Sequence, residues 1–196
     1  MVTLQNIRGF IFDLDGTLVT SSLDFSVIKS EIGCPDNDDV LTYIEALNPK
    51  KRDWAMDIVH CHEREDAETC DWIAGAEGFI EACKQRSIPM AILTRNSAFS
   101  SHIKIERNQI PIDYLVTREC SKPKPDPSAL LDIAKEFDLP PCDVMMVGDY
   151  RYDLEAGRNA RMPSCLINYE QLPDYAHLAD YVFPDFSAFY EAVFKH

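Results

Sequence analysis

Two carboxylates separated by a single residue, those of Asp13 and Asp15, follow a short apolar run near the start of this 196-residue chain. Side chains two residues apart at the end of a strand point in roughly the same direction. Neighbouring carboxylates repel each other, and a hard cation with oxygen ligands relieves that repulsion. Gly16 comes next and lets the backbone turn sharply. The pair therefore predicts a cation site at a strand end, with a capped turn as the alternative.

Two further polar clusters follow later apolar runs. Thr94, Arg95 and Asn96 supply a hydroxyl, a cation and an amide that could hold a phosphate group, although an N-cap for the next helix is the alternative. Pro123, Pro125 and Pro127 follow Lys122 and restrict the backbone, so this lysine could be held over the end of the sheet. A rigid polar loop is the alternative interpretation of the lysine segment.

A fourth cluster contains Asp149 and Asp153. If a helix begins near residue 150, these two acids lie about one turn apart on a shared face. The alternative for Asp149 is a simple N-cap. Each of the four clusters has a structural explanation by itself. Together they bring acids, a hydroxyl and a lysine to four consecutive strand ends, which predicts one functional site.

The elements that must position these residues alternate along the chain. Strands are predicted for the apolar runs at 9–12, 90–93, 114–116, 144–147 and 164–167, with an edge strand at 181–183. Helical spacing occurs at 76–86, 97–108, 127–137 and 152–160, and a closing helix is expected at 185–195. This alternation predicts the α/β class, a three-layer Rossmann-like parallel sheet. Ligands bind such sheets beyond the carboxyl ends of the strands.

The segment from Ser21 to Thr69 interrupts the alternation, because its pattern is helical throughout. Pro35 and the Asn48-Pro49 pair mark helix ends or turns inside it. We therefore predict a core domain made of residues 1–20 and 70–196, with a small helical domain at 21–69.

The composition argues against several classes of partner. The formal net charge of −14 disfavours binding to nucleic acid or to an anionic membrane. A phosphorylated substrate must then be attracted by a local cation, which a bound metal would provide. The seven cysteines form no CxxC pair, which indicates reduced thiols rather than a disulfide framework or a zinc site. No apolar stretch approaches the length of a membrane helix, so we expect a cytoplasmic protein.

The ordered clusters closely resemble the four signature motifs of the haloacid dehalogenase-like hydrolase superfamily. The motifs are the segments 10–18, 92–96, 122–126 and 148–153, and the third resembles the lysine motif of the phosphoglycolate-phosphatase-like branch. The resemblance spans almost the entire chain. The segment 21–69 resembles the helical cap of the family's first cap class, although it is short for that class.

The resemblance implies a covalent mechanism for phosphate transfer. Asp13 would attack phosphorus and form an aspartyl-phosphate. Asp15 would protonate the leaving oxygen and later deprotonate the attacking water. Lys122 would neutralise the nucleophile and the phosphoryl charge.

The resemblance also implies binding roles. A phosphate site would be formed by Thr94, Arg95, Asn96 and Gly16. A Mg²⁺ site would be formed by Asp13, the Asp15 carbonyl oxygen, Asp149 and Asp153.

The reaction that these roles favour is Mg²⁺-dependent hydrolysis of a small phosphomonoester, as in phosphoglycolate phosphatases. An acid at Asp15 argues against dehalogenation, which needs no proton donor two residues after the nucleophile. A phosphomutase of the β-phosphoglucomutase type is an alternative, and the short cap favours hydrolysis over it. A catalytically silent binding protein is a further alternative. We expect a small phosphorylated metabolite as the partner, and either a monomer or a homodimer.

Overall fold

The computed structural model describes residues 4–195, in which six strands form one parallel sheet. The strands are β1 Gly9–Phe12, β2 Met90–Leu93, β3 Tyr114–Val116, β4 Val144–Gly148, β5 Ser164–Ile167 and β6 Tyr181–Phe183. Their order across the sheet is β3-β2-β1-β4-β5-β6, so β1 lies between β2 and β4. The predicted parallel sheet and α/β fold class are confirmed.

Eight α-helices connect or follow the strands within the described residues. They are α1 Phe25–Ile32, α2 Val40–Ala46, α3 Pro49–Ala67, α4 Ala76–Gln85, α5 Ala98–Asn108, α6 Ser128–Glu136, α7 Arg151–Ala160 and α8 Phe186–Phe194. Short polar side chains cap several N-termini, as the sequence pattern suggests. Asn48 caps α3 with Pro49 at its first position, and Ser97 caps α5 by accepting a hydrogen bond from the Ser100 amide.

The helices cover both faces of the sheet because side chains alternate along each strand. Phe10 and Phe12 of β1 pack on one face with Phe79 of α4 and with α8. Ile11 points to the opposite face and packs with α6 and with Ala156 of α7. The result is the three-layer arrangement predicted from the alternation of strands and helices.

Helices α1, α2 and α3 lie between β1 and α4, and we call them the helical segment. This segment has its own buried cluster, which includes Ile28, Ile44 and Val59. The division into a core (1–20 and 70–196) and a cap (21–69) remains a prediction. Residues 1–3 and 196 of that core range lie outside the described residues.

Among residues 4–195, every helix is too short or too polar to cross a membrane. The cytoplasmic location and the choice between monomer and homodimer remain predictions from the sequence.

Candidate active site

The ends of the neighbouring strands β1 and β4 bring three carboxylates together. Asp13 follows β1, Asp149 follows β4, and Asp153 lies in the first turn of α7. One oxygen from each of these side chains lies within 4.8 Å of the other two. All three donors are carboxylate oxygens, which are the ligands that hard cations such as Mg²⁺ prefer. The cluster therefore fits a divalent cation of that type.

The turn after β1 contacts this cluster through a hydrogen bond to Asp149. Gly16 adopts a left-handed backbone conformation with a φ of 70°, and the buried Thr17 hydroxyl donates a hydrogen bond of 3.0 Å to Asp149. The Asn168 side chain donates to the carbonyl oxygens of Gly16 and Thr17, at 3.0 and 2.9 Å. Asn168 follows β5, and the sequence analysis did not identify it. It fixes the turn that positions Asp149.

The electrostatics of the cluster also favour cation binding. Burial, together with the negative charges of Asp13 and Asp153, raises the pKa of Asp149 to about 8. Burial likewise raises the pKa of Asp153 to about 6, although the nearby Lys124 ammonium opposes that effect. The carboxylates are thus held together at an electrostatic cost, which a bound cation would relieve.

The structure corrects the position of the predicted lysine. Lys122 is 79 % exposed and lies 3.9 Å from Asp126, away from the carboxylate cluster. Lys124 is buried instead, and its Nζ lies 2.9 Å from Asp13 and 2.6 Å from Asp153. Its ammonium also donates a hydrogen bond of 2.9 Å to the carbonyl oxygen of Leu93, at the end of β2. The lysine that contacts the predicted nucleophile is therefore Lys124 and not Lys122.

Lys124 remains a cation in this environment. Burial acts to lower the pKa of Lys124, but the carboxylates of Asp13 and Asp153 outweigh burial and raise it. A charged ammonium at this position can neutralise negative charge on a group bound to Asp13.

Asp15 lies beside the three-carboxylate cluster and is held by two side chains. The Asn96 amide donates a hydrogen bond of 2.8 Å to its Oδ2, and the Lys104 ammonium pairs with its Oδ1. Burial raises the pKa of Asp15 to about 6, even though Lys104 and Asn96 act to lower it. Asp15 can therefore exchange a proton near neutral pH. The predicted role of its carbonyl oxygen at the metal remains a prediction.

The segment after β2 places its three predicted residues differently. Thr94 is buried, and its hydroxyl accepts a hydrogen bond of 3.1 Å from the backbone N–H of Asn96. Asn96 reaches Asp15, as described above. Arg95 turns toward the helical segment, where it pairs with Asp39 at 2.7 Å and stacks over the Tyr152 ring. Phosphate binding by these three residues and by Gly16 remains a prediction.

A second ion pair joins the helical segment to the sheet. Glu63 of α3 and Arg118, which follows β3, are both nearly buried and form two hydrogen-bonded contacts, one of 3.1 Å. Glu63 also accepts a hydrogen bond of 3.3 Å from the Ser97 amide. The sequence analysis did not predict this pair, because α3 reads as a surface helix by its charge pattern.

Comparison with known proteins agrees with this geometry. The model of the family described as haloacid dehalogenase-like hydrolase matches residues 24–167. This chain belongs to the haloacid dehalogenase-like hydrolase family. The resemblance drawn from the sequence motifs is thereby confirmed.

Individual relatives of this hydrolase cover most of its length. A haloacid dehalogenase-like hydrolase domain-containing protein of Arabidopsis thaliana is 29% identical and covers 83% of this chain and 71% of its own. A phosphoglycolate phosphatase of Thiobacillus denitrificans is 26% identical over 83% of this chain and 84% of its own. A solved structure of a hydrolase from Pseudomonas syringae superposes with a TM-score of 0.79 at 18% identity, covering 96% and 98% of the two chains.

Replacing Gly16 by alanine should weaken binding of Mg²⁺ to the hydrolase. A Cβ atom at this position would lie 2.3 Å from Asp149 Oδ2, so the carboxylate must move. We expect the dissociation constant for Mg²⁺, measured by titration calorimetry, to rise about tenfold or more.

Gly33→Ala is the matched control, because Gly33 has nearly the same φ of 71° but only the Tyr43 hydroxyl, at 3.9 Å, near its added Cβ. The control should lose stability from backbone strain while keeping its affinity for Mg²⁺. Equal Mg²⁺ affinity in the two variants would show that Gly16 does not position Asp149.

The melting temperature of the metal-free hydrolase should fall as the pH rises from 6 to 9. Folding raises the pKa of Asp149 to about 8 from an ordinary value of 3.8. The folded state therefore keeps a proton that the unfolded chain releases, and this contribution to stability is lost as the pH rises through the folded pKa. Scanning calorimetry in EDTA at several pH values measures the effect.

Added Mg²⁺ should reverse that trend, because it replaces the proton between the carboxylates. At a concentration near 100 times the dissociation constant, we expect an increase in melting temperature of about 5–10 °C at pH 9. The increase should be smaller at pH 6 and absent in Asp149→Asn. A metal-induced shift that does not depend on pH would contradict the assignment.

Proposed function

We propose that this hydrolase is a Mg²⁺-dependent phosphatase that cleaves a small phosphomonoester through an aspartyl-phosphate on Asp13. One observation carries the proposal. Asp13 belongs to the three-carboxylate cluster and also contacts the buried Lys124 ammonium at 2.9 Å. A carboxylate can attack a phosphate dianion only where positive charge offsets their repulsion. Phosphoryl transfer requires mainly such alignment and charge stabilisation.

In the first step, a carboxylate oxygen of Asp13 attacks phosphorus and the bond from phosphorus to the leaving oxygen breaks. Asp15 gives its proton to that oxygen, so the leaving group departs as an alcohol. In the second step, Asp15 accepts a proton from water as the water oxygen attacks phosphorus. The bond from phosphorus to Asp13 breaks, which releases inorganic phosphate and restores both side chains.

The environment of Asp15 supports its two roles. A general acid and base works best when its pKa lies close to the working pH, and the pKa of Asp15 is raised to about 6. Asp13 contacts the Lys124 ammonium instead, whose positive charge offsets the repulsion between this carboxylate and a phosphate group. The two neighbouring aspartates thus have different surroundings that suit different tasks.

The Mg²⁺ ion would be held by the side chains of Asp13, Asp149 and Asp153, with the Asp15 carbonyl oxygen as a further ligand. When bound, the ion neutralises phosphoryl charge and helps to orient the phosphate group. Lys124 adds a second positive charge that belongs to the protein itself.

We further propose that the segment 21–69 acts as a cap that restricts the substrate to a small molecule. The Asp39–Arg95 and Glu63–Arg118 pairs connect this segment to loops that follow β2 and β3. Asn96 and Lys124 of these loops contact Asp15 and Asp13, which supports a position of this segment over the edge of the sheet where the phosphate would bind. The phosphoglycolate phosphatase among the relatives has, by its name, a substrate of this size class.

The test is phosphate release from a panel of phosphoglycolate, sugar phosphates, nucleoside monophosphates and an aryl phosphate, with Mg²⁺ or with EDTA. We expect release that requires Mg²⁺ and that is fastest on one small monoester. Acid-quenched enzyme should carry a phosphoryl group that hydroxylamine removes, and peptide mapping should place it on Asp13. Release unaffected by EDTA, or no release from any substrate with Mg²⁺ bound, would contradict the proposal.

A further inference from the structure

A fully buried lysine outside the proposed catalytic set lies next to Asp15. Lys104 is on α5 and its side chain has no exposure to solvent. Burying an ammonium is costly unless it is paired and hydrogen-bonded. Lys104 pairs with two carboxylates, Asp15 on the β1 turn and Asp66 at the end of α3, the latter at 2.5 Å. No step of the proposed function uses this lysine.

The contact with Lys104 completes the fixation of the Asp15 carboxyl group. Its Oδ1 faces the Lys104 ammonium, while its Oδ2 accepts the hydrogen bond of 2.8 Å from Asn96. With both oxygens engaged, the plane of the carboxyl group is set from two sides. Removing Lys104 would leave the group held only on the Oδ2 side, by Asn96, while leaving Asp13, Lys124 and the carboxylate cluster in place.

Asp66 fixes Lys104 in turn and connects it to the chain that leaves the sheet. Its carboxylate accepts hydrogen bonds from the Ser21 hydroxyl at 3.0 Å, and from the amide and hydroxyl of Ser22 at 2.5 and 3.0 Å. Residues 21 and 22 begin the connection from β1 to the helical segment, and Asp66 lies where that segment ends. Through Asp66, Lys104 therefore connects Asp15 to the two places where the chain passes between the sheet and the helical segment.

We propose that Lys104, braced by Asp66, is a positioning residue that orients Asp15 for proton transfer to the leaving oxygen. This inference rests on the proposed function, in which Asp15 is the general acid. It predicts that loss of Lys104 slows the first step most for a substrate whose leaving oxygen must be protonated to depart.

The experiment compares two substrates of Lys104→Met. An alkyl phosphate has a leaving oxygen that must be protonated, whereas dinitrophenyl phosphate releases a stable phenolate without a proton. We expect the first-turnover rate on the alkyl substrate, measured as release of the alcohol, to fall about 10²-fold, which is the lower end of what a general acid contributes. The first-turnover rate of dinitrophenolate release should fall at least about tenfold less. The first turnover is measured because the second step, which also uses Asp15, is the same for both substrates. Asp15→Asn should show the same selectivity with larger losses.

A second variant protects the test against a folding defect. Lys104→Met alone leaves Asp66 as an unpaired buried charge, so Lys104→Met combined with Asp66→Asn is measured beside it. The carbonyl oxygen of the asparagine can still accept the hydrogen bonds from Ser22, and its amide nitrogen can donate one to the Ser21 hydroxyl. Circular dichroism and the stabilisation by Mg²⁺ establish that each variant is folded. The double variant should show the same preference for dinitrophenyl phosphate over the alkyl phosphate.

Equal losses of first-turnover rate on the two substrates in the folded variants would overturn the proposal, since they would mean that Lys104 does not act through proton transfer to the leaving oxygen. Unchanged activity on both would overturn it as well. Failure of the proposed function gives a different result, namely wild-type protein that releases phosphate from neither substrate.

Discussion

Asp13→Asn should abolish Mg²⁺-dependent phosphate release, with kcat falling by at least about 10³-fold. The amide has almost the same shape as the carboxylate, but its oxygen is too weak a nucleophile to attack phosphorus. No phosphoryl group should then be recovered on the acid-quenched protein. Phosphate release and phosphoprotein analysis under identical conditions measure both effects.

Asp113→Asn is the matched control for the lost charge, because Asp113 is exposed and lies outside the carboxylate cluster. It should keep wild-type activity. The Asp13→Asn protein should stay folded, since Lys124 retains its contact with Asp153. Activity within tenfold of wild type in Asp13→Asn would remove Asp13 from the role of nucleophile.

Much of the fold could be predicted from the sequence because the strands of this sheet are buried on both faces. Such strands appear as continuous apolar runs, and the run at 144–147 corresponds to a strand that is buried throughout. The helices between them carry polar residues on one side and apolar residues on the other, so their apolar residues recur with the period of a helix. Alternation of the two signals leaves a parallel sheet as the simplest solution.

The clustering of Asp13, Asp149 and Asp153 could also be anticipated, for a topological reason. Parallel strands end at the same edge, so residues that follow different strands share that edge. The motif resemblance then favoured one shared site over separate helix caps. The order of the strands explains why these acids are close. Because β1 and β4 are neighbours, one oxygen of each carboxylate lies within 4.8 Å of the others.

The choice between the two lysines could not be made from the sequence. The pattern Lys-Pro-x-Pro occurs twice in overlap, once starting at Lys122 and once at Lys124. Both lysines precede proline and are therefore restricted to extended backbone. The two lysines differ in their tertiary contacts. Of the two, only Lys124 reaches the carbonyl oxygen at the end of β2 and the carboxylates beyond it. Local spacing contains no information about that distance.

Contacts between distant segments account for the other residues that were missed. Lys104 and Asp66 each look like an ordinary charge on an amphipathic helix, and Asn168 looks like a polar residue after a strand. Their roles depend on partners 38 to 152 residues away in the chain. Periodicity describes which face of an element is apolar, but it cannot pair a buried charge with its partner.

Lys124→Met should reduce kcat by about 10²–10³-fold, the range expected when one preorganised electrostatic contact to the transition state is removed. The methionine side chain has a similar length and fills the buried space, but it offers no charge to Asp13 or to a phosphoryl group bound there. Asp13 and Asp153 would then repel each other without compensation. We therefore also expect lower stability in EDTA, partly restored by Mg²⁺, as measured by phosphate release and thermal unfolding.

Lys122→Met is the matched control, because it removes the same group two residues away in the same proline-rich segment. Lys122 is 79 % exposed and its contact with Asp126 is a surface pair at 3.9 Å, so water already screens its charge. The control should keep wild-type kcat, KM and stability. A large loss of activity in Lys122→Met with little change in Lys124→Met would return the catalytic role to Lys122. It would also require a loop arrangement in which the two ammonium groups exchange places. The opposite result would establish that the second of the two overlapping motifs, starting at Lys124, supplies the lysine.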